Sequence, residues 1–213
     1  MSFLIGGPYY HMVGRTGNNV GRVLRGKNIF SMRPTPSQNP PTALQLDVRM
    51  KMALMSDFYS WVTSLLDVGF QDYTAEMSAF NAAVSYGLRN AVAGVSPNFT
   101  IDYSKVMFSR GKLYNVTNPE AATAANAVVD FTWTSSLYEE YSNADDQVCI
   151  VFFNPAKWNF VVKMNAALRS AQAYEMHLPL DWIGDDAQIW LLTVNDEGNM
   201  VSNTFFLAEV TIL

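Results

Sequence analysis

The chain has 213 residues, of which 14 are basic and 19 are acidic, so its formal net charge is −5 and charged residues make up 15%. A hydrophobic fraction of 49% excludes a disordered chain, and a single cysteine excludes a scaffold held together by internal disulfides. Globular proteins average about 25% charged residues, so the low charged fraction is the unusual property of this composition. It predicts that neighbouring protein covers much of the surface.

The charge is unevenly distributed along the chain. Residues 1–51 contain seven basic residues and one acidic residue, Asp47, and therefore carry +6, whereas the remaining residues carry −11. A basic segment joined to an acidic remainder can bind a polyanion such as nucleic acid, or dock on an acidic protein surface of its own or a neighbouring chain. Because no run of Lys or Arg occurs, docking on protein is the preferred interpretation and nucleic acid is the weaker alternative.

Residues 1–41 are predicted to form an extended basic arm. Two short apolar runs, 20–24 and 29–32, flank the turn-forming residues Arg25-Gly26-Lys27-Asn28 and predict one β-hairpin. A lone hairpin is marginally stable in water, so a partner surface is expected to hold it. Prolines at four positions, 34, 36, 40 and 41, exclude a helix at the end of the arm. The candidate assembly residues of the arm are Arg15, Arg22, Arg25, Lys27 and Arg33.

Residues 42–100 are predicted to form a helical hairpin. Thr42 is the expected N-cap of a helix over residues 42–67, with Gln45 at capping-box spacing. Apolar residues of this helix recur at steps of three or four, namely Leu44, Val48, Met52, Met55, Phe58, Val62 and Leu65. A second amphipathic helix is predicted over residues 75–93, after a short connection.

Residues 101–213 change to a two-residue periodicity that is typical of strands. Seven strands are predicted, at 104–108, 128–134, 148–153, 158–163, 174–178, 188–194 and 201–212. Seven short strands separated by turn signals are typical of an immunoglobulin-like or fibronectin-III-like antiparallel β-sandwich. The predicted fold class of the whole chain is therefore α+β: an extended arm with a β-hairpin, an αα-hairpin and a β-sandwich.

The sequence predicts no catalytic or metal site and no cofactor. Residues 21–28 resemble a phosphate-binding P-loop, but Asn28 stands where that motif needs Ser or Thr, and no helix is expected to follow. The two histidines, His11 and His177, lack an accompanying nucleophile motif. Cys149 lies in a fully apolar run and is expected to be a small core residue.

Acidic pairs and aromatic residues in the predicted loops leave alternatives open. The pairs lie at 139–140, 145–146, 185–186 and 196–197, where solvated surface acids are simpler than a calcium site or glycosidase chemistry. A deep pocket lined by Asp185, Asp186 and His177 would favour an enzyme. The candidate loop-binding residues are Tyr138, Tyr141 and Trp158, as a surface for a glycan or a protein.

Several short segments resemble a known family. In the N-terminal part these are residues 14–21, Arg25-Gly26-Lys27, Met32-Arg33-Pro34 and residues 39–45. Further along the chain they are Gly69-Phe70, Phe80-Asn81-Ala82-Ala83, Asn90-Ala91, Asp102-Tyr103-Ser104-Lys105, Ser109-Arg110-Gly111 and Ser202-Asn203-Thr204. With these segments the whole chain resembles an uncharacterised domain-of-unknown-function family of Bacteroidota proteins. The resemblance implies no established activity, and it implies genes of bacteria and of their phages or prophages.

The predicted function is that of a non-enzymatic structural or assembly protein, such as a phage virion component. Its expected partners are further copies of itself, in a homo-oligomeric ring or lattice, or neighbouring structural proteins contacted through the arm. The alternative is a glycan- or protein-binding module that uses the sandwich loops. The N-terminus lacks the features of a signal peptide, and no apolar run is long enough to span a membrane, so the expected location is the cytoplasm or a virion.

Overall fold

The computed structural model describes residues 2–7, 9–36, 39–75, 77–135 and 141–213. The helices are α1 (Ala43–Ser60), α2 (Thr63–Gly69) and α3 (Ala79–Asn90). The strands are β1 (Ser2–Leu4), β2 (Gly14–Thr16), β3 (Asn19–Leu24), β4 (Lys27–Met32), β5 (Val92–Val95), β6 (Asn98–Ile101), β7 (Thr117–Ala124), β8 (Val128–Thr134), β9 (Gln147–Asn154), β10 (Asn159–Leu168), β11 (Ala173–His177), β12 (Asp186–Val194) and β13 (Phe205–Thr211). The chain divides into two compact units, Met1–Thr42 and Ala43–Leu213.

The N-terminal unit is a four-stranded antiparallel sheet with the order β1-β4-β3-β2. The predicted hairpin is present as β3 and β4, and its turn residues Arg25 and Gly26 have φ angles of 50° and 73°. Two positive φ angles are the mark of a type I′ turn, whose twist matches that of the flanking strands. The extended arm predicted around this hairpin was wrong for Ser2–Leu4 and Gly14–Thr16, because β1 and β2 add to its two edges. Both strands have only three residues, too few for a recognisable alternation.

The predicted helix over 42–67 is interrupted between α1 and α2. The Val62 N–H donates to the Tyr59 carbonyl at 3.2 Å, a contact three residues back that tightens the chain and ends α1. The second helix is α3, and Ser78 caps it by accepting a hydrogen bond from the Asn81 N–H at 3.2 Å. Residues 92–101 form the hairpin β5–β6 instead of the end of this helix.

The apolar stripe of α1 is buried only in its C-terminal half. Met55 and Phe58 are fully buried, whereas Leu44 and Val48 remain 76% and 66% exposed. The hairpin β5–β6 contacts the polar side of the exposed half: Ser96 donates to Asp47 at 2.6 Å, and the Lys51 ammonium lies 4.7 Å from the centre of the Phe99 ring.

The C-terminal strands form two sheets, with the orders β11-β8-β7 and β10-β9-β12-β13. The first, second and fifth sandwich strands share one sheet, and the third, fourth, sixth and seventh share the other. All pairings are antiparallel, which is the arrangement of a fibronectin-III-like sandwich. The predicted α+β fold with an immunoglobulin- or fibronectin-III-like sandwich is confirmed.

The first predicted strand was wrong. Residues Tyr103–Lys105 form a single 3₁₀ turn, and β7 is the first sandwich strand. A proline, Pro119, lies within β7 and obscures it in the sequence, since a proline cannot donate to a strand ladder. The structure accommodates Pro119 because β7 is an edge strand whose register shifts between Thr117 and Glu120.

Two hydrophobic clusters share the four-stranded sheet. Alternate residues of β9 face opposite clusters: Cys149, Val151 and Phe153 pack with the helices, whereas Val148, Ile150 and Phe152 pack inside the sandwich. Strand β12 does the same, with Trp190 and Leu192 on the helical side and Ile189 and Leu191 on the other. The helices and the sandwich, predicted as the separate regions 42–100 and 101–213, therefore form one unit with the sheet as its middle layer.

A buried ion pair ties three connections of the sandwich together. The Asp146 carboxylate accepts a hydrogen bond from Arg169 Nε at 3.1 Å and lies 3.1 Å from Nη2, and both side chains are fully inaccessible to solvent. The Arg169 guanidinium also donates to the carbonyls of Asn115 and Tyr114, and the Arg169 carbonyl accepts from the Trp133 indole N–H at 2.9 Å. Burial lowers the pKa of Arg169, and the charge of Asp146 opposes that shift.

Among the residues that the structure describes, no helix combines the length and the apolar composition that crossing a membrane requires.

We expect the substitution Asp146→Asn to destabilise the protein by about 3–5 kcal/mol, because it leaves the Arg169 charge buried without compensation. Urea denaturation followed by tryptophan fluorescence measures the change. The matched control is Asp181→Asn, which removes a carboxylate from a solvent-exposed pair with Lys157 and should change the unfolding midpoint far less. Equal effects of the two substitutions would contradict this role of the buried pair.

Candidate functional site

Residues 108–111 run between the helices and the sandwich and are held by hydrogen bonds to one threonine. The Thr204 hydroxyl accepts from the N–H groups of Phe108 and Ser109 at 2.9 and 2.8 Å, and the Thr204 N–H donates to the Ser109 carbonyl at 3.1 Å. The buried Ser109 hydroxyl lies 3.0 Å from that of Thr204. This segment therefore has a fixed backbone.

Two glycines allow the close approach of the neighbouring backbones. A Cβ atom on Gly69 would overlap the Phe108 carbonyl, and one on Gly111 would overlap the Val201 carbonyl. The structure thus brings together three segments that carry the family resemblance: Gly69-Phe70, Ser109-Arg110-Gly111 and Ser202-Asn203-Thr204. The sequence shows each segment but not their proximity, since over 90 residues separate Ser109 from Thr204.

The backbone contacts at Gly69, Gly111 and Thr204, which we call the clamp, position the side chain of Arg110. The Arg110 N–H donates to the Gly69 carbonyl at 2.9 Å, which fixes the start of the side chain. The guanidinium carbon lies 5.4 Å from the centre of the Tyr73 ring and 5.2 Å from that of Tyr86, so two cation–π contacts hold the half-buried group. In the sequence, Arg110 stands out only as part of a segment that resembles the family, and no local pattern predicts it as a site residue.

Arg110 lines a small cavity of about 100 Å³ beside α3, which we call the Arg110 pocket. Its wall combines the two tyrosine rings with apolar side chains and a second arginine, Arg89. Arg89 Nε and Nη2 donate to the backbone carbonyl and hydroxyl of Ser85 at 3.1 and 2.5 Å. Within the described part of the chain, neither arginine forms an ion pair with a carboxylate.

The candidate assembly residues all lie exposed in the N-terminal unit. Strand register places three of them on one side of the sheet, because Arg15 pairs with Val20, Arg22 with Ile29 and Lys27 with Leu24. We call Arg15, Arg22 and Lys27 the basic face. Arg25 lies in the β3–β4 turn, and Arg33 follows β4, where its N–H donates to the Asn18 carbonyl at 2.8 Å.

The structure does not bring Tyr141 and Trp158 into one binding surface. Tyr141 precedes β9 and Trp158 follows it, so the eight residues of that strand, roughly 26 Å, separate their loops. The Trp158 indole N–H donates to Asp57 at 2.8 Å and its ring lies 5.3 Å from Phe153, so Trp158 covers a core edge. Tyr141 packs on the ring of Tyr114 at 6.0 Å. The third predicted residue, Tyr138, lies outside the described residues.

The residues weighed for catalysis are dispersed. The near-match to a P-loop is the hairpin β3–β4, which lacks the strand–loop–helix context that phosphate binding requires. His177 is exposed, 3.2 Å from Glu175, and does not line the open cleft beside Asp185 and Asp186. Asp185 accepts from Asn154 at 2.8 Å and pairs with Lys157; the hydrogen bond from Asn154 is the main reason its pKa is lowered.

Neither the cysteine nor the remaining acidic residues within the described ranges form a site in this structure. Cys149 is buried, as predicted, and burial raises the pKa of its thiol. The acid Asp146 serves the ion pair with Arg169, so the 145–146 pair is not two solvated carboxylates. In the described ranges no three potential metal-ligating side chains come together.

Comparisons with known proteins give a family and a distant structural likeness. The model of a family of unknown function, DUF6266, matches residues 11–208. No curated protein matches the chain. Among solved structures, the chain is similar to the fn3 domain of the human collagen alpha-1(XX) chain, at 12% sequence identity and a TM-score of 0.35. That likeness covers 47% of this chain and 85% of the fn3 chain.

We expect Gly111→Ala and Gly69→Ala each to destabilise the protein by about 1–3 kcal/mol, because the added methyl group forces apart two clamped backbones. Thermal unfolding followed by circular dichroism measures the loss. Gly6→Ala is the matched control, since no heavy atom lies within 4 Å of its added Cβ. If the melting temperature of Gly111→Ala and of Gly69→Ala stays at the wild-type value, the facing backbone segments have room for the added methyl group, which contradicts this prediction.

Proposed function

Since the chain belongs to DUF6266, a family of unknown function, membership brings no activity, and we propose that the protein is a non-enzymatic assembly protein that self-associates through its N-terminal unit. The observation that carries this proposal is the unit's single-layer sheet, which combines an exposed basic face with exposed apolar side chains.

A sheet needs a second layer to bury its apolar residues. Among residues 5–7, 9–36 and 39–42, whose burial the structure describes, only Gly21, Asn28 and Ile29 are buried. Ile5, Val13 and Met32 are 94%, 72% and 71% exposed. Burying these side chains against another subunit would supply the free energy that the unit does not obtain from its own core.

The charges of the two units support the same arrangement. Residues 1–42 contain five basic and no acidic residues, whereas residues 43–213 contain nine basic and 19 acidic ones, a net charge of −10. The N-terminal unit of one copy therefore complements the acidic unit of another. Such a contact is heterologous, and repetition of a heterologous contact produces a closed ring or an open filament.

We propose that such an assembly is part of a particle built from many copies, such as a phage virion. Its location would be the virion, or the cytoplasm in which the particle forms. Nearby structural proteins with acidic surfaces would bind the basic face by the same electrostatic attraction.

We expect deletion of residues 1–42 to convert an oligomer into a single copy. Residues 43–213 contain both hydrophobic clusters, so the shortened chain should remain folded. Light scattering coupled to size-exclusion chromatography measures the mass of both proteins, and circular dichroism checks the fold. A full-length chain that is monomeric at tens of micromolar, or an unchanged oligomer mass after deletion, would exclude assembly through this unit.

Charge reversal tests the electrostatic part of the proposal. The double substitution Arg15→Glu/Arg22→Glu should weaken association at least about tenfold, because it places negative charge against an acidic surface. The matched control, Arg49→Glu/Lys163→Glu, changes the net charge equally but in the acidic unit, where both residues are exposed. Its association should be unchanged or stronger. If both double substitutions weaken association equally, the effect comes from net charge alone, and the basic face has no specific role.

Nucleic acid remains the alternative occupant of the basic face. Binding to a DNA or RNA column that falls steeply with salt, and is lost in Arg15→Glu/Arg22→Glu while the oligomer persists, would favour that partner.

The glycan- or protein-binding alternative uses the sandwich loops and predicts that Trp158→Ala abolishes binding to a ligand array. The packing of Trp158 on the core makes it a poor platform for a ligand.

A further inference from the structure

We infer that the Arg110 pocket binds a carboxylate group carried on a short apolar stem. The inference does not depend on self-association, because every residue involved belongs to the unit Ala43–Leu213.

Among the described residues, the Arg110 guanidinium is held in place without a protein acceptor. Its backbone N–H donates to the Gly69 carbonyl, and the guanidinium carbon lies 5.4 and 5.2 Å from the ring centres of Tyr73 and Tyr86. In the described part of the chain, its side-chain N–H groups have no hydrogen-bond acceptor. The guanidinium is half-buried and its N–H groups still reach solvent, so its planar fork is accessible for two parallel hydrogen bonds to a carboxylate.

The charges around the pocket also favour an anion. Arg89 adds a second positive charge to the pocket while Ser85 holds Nε and Nη2, which leaves Nη1 for a ligand. The surrounding unit has ten more acidic than basic residues. None of the described carboxylates neutralises either arginine, so the pocket is a local positive site on a negative unit.

The size and lining of the pocket indicate the class of ligand. Its volume of about 100 Å³ is several times the roughly 10–15 Å³ that a cavity needs to hold one water molecule, so the pocket admits a small organic group of a few heavy atoms. Phe70, Met77 and the tyrosine rings provide apolar wall for a short carbon stem. The last turn of α3 borders the pocket, and its partial negative charge disfavours a phosphate dianion more than a monoanion.

A propionate group meets these requirements. It occurs in free short-chain carboxylic acids and as the side chain of a glutamate in a peptide. Both sources present the same carboxylate and short carbon stem to the pocket. They differ because a peptide can make further contacts outside the pocket that add affinity, whereas a free acid cannot.

The test is a titration of the full-length chain followed by ¹H–¹⁵N NMR, with sodium chloride at equal ionic strength as reference. Sodium propionate should cause saturable shifts at the Arg110 Nε–Hε and at the amides of residues 69–73 and 85–90, with half-saturation on the order of millimolar. An N-acetylated glutamate amide that binds at least tenfold more tightly indicates a peptide source, and the reverse order indicates a free acid.

Substitutions connect the shifts to the pocket. Arg110→Gln should weaken propionate binding at least tenfold, and Arg110→Lys should weaken it less, since it keeps the charge but loses the planar fork. Lys163→Gln removes one distant exposed charge and should leave binding unchanged. Arg89→Gln alters an exposed side chain and should weaken binding several-fold, so the test remains available if Arg110→Gln does not fold.

Three outcomes would overturn the inference. They are the absence of saturable shifts in the wild-type protein, equal shifts in the wild-type and Arg110→Gln proteins, and inorganic phosphate that saturates the pocket at least as tightly as propionate.

Discussion

Burial of both faces of one sheet is the constraint on which the rest of the C-terminal unit depends. Strands β9 and β12 direct alternate side chains into the sandwich and toward the helices, so neither layer can form without covering the same four strands. Antiparallel sheets often leave one face to solvent, and a strand with that environment alternates apolar and polar residues. The run Val148–Phe153 does not alternate, and the helical layer is the reason.

The position of the helical layer determines the Arg110 pocket. Because the helices lie against the outer face of the sheet, the chain must pass from them to the sandwich along the edge at residues 106–113. There Gly69 and Gly111 permit backbone approach, and Thr204 satisfies the N–H groups of Phe108 and Ser109. The fixed backbone of this connection also holds Arg110 close to two tyrosine rings.

No comparable second layer is present among the described residues of the N-terminal unit. Its four strands pair with one another, but most of its described side chains are exposed, and its charged residues are all basic. The two units therefore differ in what stabilises them: the larger has two hydrophobic clusters of its own, and the smaller presents apolar and basic groups suited to a partner. This difference is the physical basis of the proposed self-association.

Wherever burial follows a simple period, the amino-acid sequence alone predicts the class of the element. The alternation of β8, the apolar run of β9, the hairpin turn at Arg25-Gly26 and the division into a basic and an acidic part are all visible in it. Local pattern misplaced the first sandwich strand, since Pro119 and an alanine-rich run give no strand signal, and it missed the break in the helix at Trp61-Val62. The separation of Tyr141 from Trp158 and the meeting of Gly69, Arg110 and Thr204 depend on how the chain folds in three dimensions. Contacts between residues so far apart in the chain depend on the order in which strands pair, which periodicity does not encode.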